Sequence, residues 1–114
     1  MGLMQIVSVG EEETVVRMFV RHRVADYPAW RAVYDGIDRE RRELGVTDHA
    51  VFQRLGDPND VTVWHDFSSR EAAESFASSP QLHAAMRQAG VQGQPDIWLA
   101  SAALQATGDP SSNE

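Results

Sequence analysis

The chain has 114 residues, 42% hydrophobic and 24% charged, with 10 Lys and Arg against 17 Asp and Glu for a formal net charge of −7. That length allows one domain with a real core, and the acidic balance opposes attraction to nucleic acid or to an anionic membrane surface. With no cysteine, disulfides, thiolate catalysis and Cys-ligated metal centres are excluded, which leaves any metal to the four His and the carboxylates.

Met1 to Gly10 lacks the positive start of a secretory signal, and no apolar run is long enough to span a bilayer, so a cytoplasmic protein with no membrane partner is expected. Leu3 to Val9 reads equally as a short extra strand or a loose arm, and residues 1–13 are set aside as such. The first clear strand is Thr14 to Val24. Its even positions Val16, Met18, Val20, His22 and Val24 are apolar except for one imidazole, and its odd positions carry Arg17, Phe19, Arg21 and Arg23. A period of two with bulky groups on both sides predicts a strand packed on each face.

Asp26 is a plausible N-cap and Pro28 fits a first turn, after which Trp30, Val33, Tyr34, Ile37 and Leu44 recur at helical spacing as far as Gly45. Strand two is expected from His49 to Leu55 and strand three from Val61 to Phe67. Gly56-Asp57-Pro58-Asn59-Asp60 forms the turn between them. Ser68 and Glu71 fit a capping box, and Ser79-Pro80 restarts the helix, which Leu82, Ala85, Met86 and Ala89 carry to Gly90. A last strand is expected from Asp96 to Leu104, followed by a polar, disordered tail over 105–114.

The order β-α-β-β-α-β is that of a ferredoxin-like α+β domain over 14–104, a four-stranded antiparallel sheet with its helices on one face. Sorting the strands by alternation gives an aliphatic face that includes His22 and His65. The opposite face carries Phe19, Phe52, Trp64 and Trp98, one aromatic per strand, among Arg17, Arg21, Arg23, Arg54 and Asp66. An aromatic face left open by helices on the other side predicts an interface, here a two-fold homodimer with the sheets face to face.

The segments R-H-R-V-A-D-Y-P-A-W-R-A-V-Y-D, V-T-V-W-H-D-F and S-P-Q-L-H-A-A-M-R-Q-A-G-V resemble the antibiotic biosynthesis monooxygenase domains of the dimeric α+β barrel superfamily. The resemblance covers Thr14 to Leu104. It implies a homodimer whose sheets close into a barrel, with a ligand cavity in each monomer between sheet and helices. It also implies a choice among cofactor-free oxygenation of aromatic polyketides, cyclisation of polyketide-like chains, haem degradation, and no reaction. Haem degradation in this superfamily uses an Asn on the first strand, and here the only Asn residues are Asn59 and Asn113.

His22 and His65 fall on the wall of the implied cavity and are the candidate catalytic bases, because imidazole titrates near working pH. Trp30, Tyr34 and His83 are the candidate substrate-binding residues. His49, at a strand start, is expected to be solvated. Proton removal from a phenol or an activated methylene would yield an anion able to react with dioxygen or to close a ring, with no cofactor and no metal required. No His pair lies at metal-binding helical spacing. The alternative is a non-catalytic dimeric module of the same fold, binding a small ligand or serving a stress response.

Overall fold

The structure is a computed structural model that describes residues 15–101. The expectations for the N-terminal arm and the C-terminal tail lie outside the described residues. In chain order the elements are β1 Val16–Val24, α1 Tyr27–Gly36, α2 Asp38–Glu43, β2 Asp48–Arg54, β3 Asp57–Phe67, α3 Arg70–Ala77, α4 Pro80–Gln88 and β4 Val91–Ser101. All strand pairs are antiparallel in the order β2-β3-β1-β4, the expected ferredoxin-like α+β arrangement. No helix among the described residues is long and apolar enough to cross a membrane.

The two faces sort as alternation requires. Met18, Val20, Val24, Val61, Val63 and Phe67 are buried beneath the helices with Trp30, Tyr34, Ala73 and Phe76. Each large apolar side chain buried there contributes roughly 1.5–3 kcal/mol. On the opposite face Phe19 lies beside Trp64 on one side and Trp98 on the other, stacked on Trp98 with centroids 5.2 Å apart. The arginines of that face are engaged within the chain. Arg17 pairs bidentately with Asp66 at 2.7 and 2.9 Å, Arg21 with Asp60 at 3.0 and 2.7 Å, and Arg23 reaches Asp57 at 2.7 Å. These pairs tie β1 to β3, and Arg17 also lies 3.5 Å over the Trp64 ring.

Four details depart from the sequence-based reading. The first helix is interrupted at Ile37 (φ −108, ψ 23), giving α1 and α2. The N-cap of α3 is Ser69, which accepts from the Ala72 amide, and not Ser68. β3 begins at Asp57, so the turn is confined to Leu55 and Gly56, the latter at φ +83. Finally, β4 begins at Val91 rather than Asp96. It is an edge strand, where Pro95 is tolerated because no ladder bond is demanded on the open side.

Candidate functional site

Between the sheet and the helices lies a mainly apolar cavity of about 60 Å³. Its floor is Met18, Val20, His22, Val63, His65 and Ile97 of the strands, and its walls include Trp30, Tyr34, Arg41, Phe76 and Met86 from the helices. A water molecule needs roughly 10–15 Å³ of such space, so the cavity admits a few waters or a diatomic gas as it stands.

β1 and β3 place the two expected histidines. His65 sits opposite Met18 and His22 opposite Val61, which separates the imidazoles by roughly 13 Å along the strands at about 3.3 Å per residue. They therefore serve opposite ends of the cavity and do not act on one proton together. Pairing between β1 and β4 shifts register between Arg21 and Arg23, so His22 lies at an irregularity of the kind that re-aims a side chain next to a site. Its ring meets the edge of Trp30 with centroids 5.7 Å apart. Neither His22 nitrogen has a hydrogen-bond partner among the described residues, nor does His65 Nδ1. Burial lowers the His22 pKa to about 4. Burial, reinforced by Arg41 and His49, lowers that of His65 to about 3. Both rings are neutral at neutral pH, each with one donor and one acceptor nitrogen. Contrary to the expectation from sequence, neither titrates near working pH, because burial makes each a weak base unless the proton is passed on or an anionic ligand offsets its charge.

Trp30 and Tyr34 line the cavity from α1, stacked with centroids 4.9 Å apart. The Tyr34 hydroxyl lies 2.6 Å from His49 Nδ1 and 3.5 Å from His65 Nε2. Burial raises its pKa to about 12 against the opposing pull of Arg41, so it is a protonated donor. His83 is placed elsewhere. It is exposed on α4, and its Nε2 lies 2.8 Å from the Ala77 carbonyl, where it satisfies the end of α3. The helical stripe that faces the cavity is Leu82, Ala85, Met86 and Ala89, and His83 falls off it.

Two further residues bear on the site, Arg41 within the cavity lining and His49 beside it against Tyr34. Arg41 of α2 is only 2% exposed. It donates from Nη1 to the Tyr34 carbonyl, which also accepts from the Ile37 amide at 3.4 Å, and from Nη2 to Asp38 at 3.1 Å. Its guanidinium lies 3.7 Å over the Tyr34 ring, and its Nε has no partner among the described residues. The signal for it was helical spacing, since it follows Tyr34 by seven residues and so returns to the same face after two turns. His49 is the second. It lies on β2 directly opposite His65, with the rings stacked 6.1 Å apart, and shares strand parity with Val51 on the aliphatic face. Among the described residues no group of three or more His, Cys, Asp or Glu could hold a metal ion.

No family model matches the sequence, and no curated protein matches it. Solved structures do match its fold. A protein from Bordetella bronchiseptica, provisionally described as an antibiotic biosynthesis monooxygenase, superposes with a TM-score of 0.68 at 11% identity, covering 77% of this chain and 96% of that one. SnoaB, a cofactor-independent oxygenase from Streptomyces nogalater, gives a TM-score of 0.63 at 11% identity, with coverage of 78% and 92%. A conserved protein from Methanosarcina mazei Go1 gives 0.65 at 12% identity, with coverage of 81% and 96%.

Proposed function

On the fold it shares with antibiotic biosynthesis monooxygenase structures, we propose that this chain is a small cofactor-independent enzyme, monooxygenase-like or cyclase-like. Its substrate is an aromatic or polyketide-type molecule that enters between sheet and helices. One observation supports this above the others: buried nitrogens of His22, His65 and Arg41 border an apolar cavity without partners among the described residues. Leaving such a group unpaired costs roughly 1–3 kcal/mol each, and a site for a polar ligand accounts for them.

The chemistry follows from the residues. His65 or His22, neutral in its apolar setting, accepts a proton from an acidic phenol or an activated methylene, and Arg41 stabilises the anion electrostatically. In the oxygenation branch the carbanion adds dioxygen and the resulting peroxide anion takes up a proton to give the hydroperoxide. It then loses water, so the methylene becomes a carbonyl, with one oxygen atom retained and the other released as water. In the cyclase branch the same carbanion attacks a carbonyl of the chain. A ligand of that size needs more room than the roughly 300 Å³ floor of ordinary ligand sites, and α4, none of whose residues is buried, moves aside to supply it.

The domain we assign spans 14–104 and acts as a homodimer through the aromatic sheet face. The test of function is oxygen uptake and product formation with anthrone-like and linear polyketide substrates. Turnover should fall about 100-fold in His65→Ala or His22→Ala, and unchanged turnover in both variants would reject the assignment. The compactness of the cavity, about 60 Å³, favours as a second reading a ligand-binding module without turnover. Calorimetric binding of the same compounds with no oxygen consumed and no ring closed would select it.

A further inference from the structure

We infer that Tyr34 and His49, with Asp38 setting the His49 tautomer, form a proton relay between the cavity at His65 and solvent, with His49 as the residue that exchanges the proton with water. The relay rests on the enzymatic reading above and adds the path by which the cavity loses and regains a proton. The catalytic contact with the ligand belongs to His65, and the other members act through it.

The geometry carries the inference. His65 is 5% exposed, so a proton accepted there has no direct way out. Its Nε2 lies 3.5 Å from the Tyr34 hydroxyl, which lies 2.6 Å from His49 Nδ1. The His49 side chain is 32% exposed, and its Nε2 lies 3.6 Å from Asp38 Oδ1. That separation is too long for a hydrogen bond, yet it places a carboxylate where it favours the tautomer with hydrogen on Nε2. His49 Nδ1 is then the acceptor for the Tyr34 hydroxyl, whose oxygen is free to accept from His65 Nε2–H. This assignment leaves His65 Nδ1, the nitrogen without a partner, as the lone pair offered to the ligand.

The transfer balances. The ligand's proton moves to His65 Nδ1, the Nε2 proton of His65 to the Tyr34 oxygen, the Tyr34 hydroxyl proton to His49 Nδ1, and the His49 Nε2 proton to water. The two imidazoles exchange tautomers, the hydroxyl reverses direction, and no charge remains on the protein. The reverse passage returns a proton to the reacting centre and resets the chain. The charged and titratable groups acting on His49 come from each packed element: Arg31 and Tyr34 of α1, Asp38 and Arg41 of α2, Asp48 of β2 and His65 of β3. Burial and Arg41 lower its pKa while Asp38 and Asp48 oppose them, so it stays neutral and able to relay at neutral pH.

The test has two arms on the full-length protein. Long-range ¹⁵N–¹H spectra of histidine-labelled protein should show His49 as the Nε2–H tautomer with a hydrogen-bonded Nδ1. Tyr34→Phe should move that Nδ1 resonance toward its unbonded position, and Asp38→Asn should raise the Nδ1–H fraction. A His49 ring averaging between tautomers and unmoved by Tyr34→Phe would overturn the relay whatever the enzyme's activity. In the second arm, His49→Ala should lower turnover about 100-fold and added imidazole should restore it, with His49→Gln as a variant that keeps side-chain volume. Full activity in both variants, with His65→Ala inactive, would overturn the relay and leave the enzymatic reading standing.

Discussion

Arg41, the two cavity histidines and the neighbouring His49 set the electrostatics of the site, and each is controlled by what it touches. The guanidinium of Arg41, packed on the Tyr34 ring, lowers the pKa of His65 and His49 and opposes the burial that raises that of Tyr34. Arg41→Met should therefore move the His65 titration upward, measured by proton NMR of the imidazole resonances between pH 3 and 8. An unchanged titration would show that burial alone governs the ring. His22 leads to a stability prediction. Its folded value of about 4 lies below the ordinary 6.5, so as pH falls below about 6.5 the unfolded chain takes up a proton that the folded chain refuses, and stability declines. His22→Leu should stabilise the fold by about 1 kcal/mol at neutral pH by removing a polar ring without partners. Its advantage should widen from pH 6.5 toward 4, read from urea midpoints. Of the residues selected from sequence, His22, His65, Trp30 and Tyr34 line the cavity, because strand parity and helical period are local properties. Arg41 is not legible as a site residue because a basic side chain in a mixed-charge run reads as solvated until packing buries it, whereas His49 keeps partial exposure, as its strand start suggests, and only cross-strand pairing sets it against His65 and Tyr34.

Capping chemistry explains where the elements start and stop. Asp26 accepts from the Ala29 amide at 3.1 Å, Ser79 from the Leu82 amide at 3.3 Å, and Gly45 and Gly90 turn the chain at φ +105 and +85. All four signals were legible, since a cap is decided by residues within one turn of it. The extents of β3 and β4 were not. Asp57, Pro58, Gly93 and Pro95 read as turn residues, and only pairing with neighbouring strands draws them into the sheet. Among the helices α4 stands apart: it contributes Leu82, Ala85 and Met86 to the cavity, yet none of its residues is buried. Hydrogen exchange should show α4 amides opening well before those of β1 and β3, as expected for an element with little buried surface. Ser79→Ala should cost about 1 kcal/mol and accelerate exchange in α4 selectively. Equal protection of α4 and the central strands would contradict the proposed entry of ligand beneath this helix.

At the scale of the molecule, one sheet face is covered by helices and the other is open. On the open face Phe52 is 53% exposed and Trp98 47%, bordered by three Arg–Asp pairs closed within the chain. Such a surface suits a partner that supplies apolar contact rather than new charge, and a second copy of this chain offers it. Phe52→Glu with Trp98→Glu should convert a dimer to a monomer in sedimentation at micromolar concentration without loss of helical circular dichroism. A monomeric parent protein under the same conditions would remove the homodimer from the proposal. Strand and helix order, the two faces of the sheet and most of the caps were legible along the chain, because each depends on neighbours within a few residues and on periods of two or 3.6. Tertiary structure alone decided which polar groups share the cavity. Tyr34, Arg41 and His65 come from two helices and a strand, and only the closure of helices on the sheet strips them of water and sets their distances, with the partly exposed His49 of β2 held against Tyr34 from outside the lining. The same closure made the cavity compact, a dimension no pattern along the chain encodes.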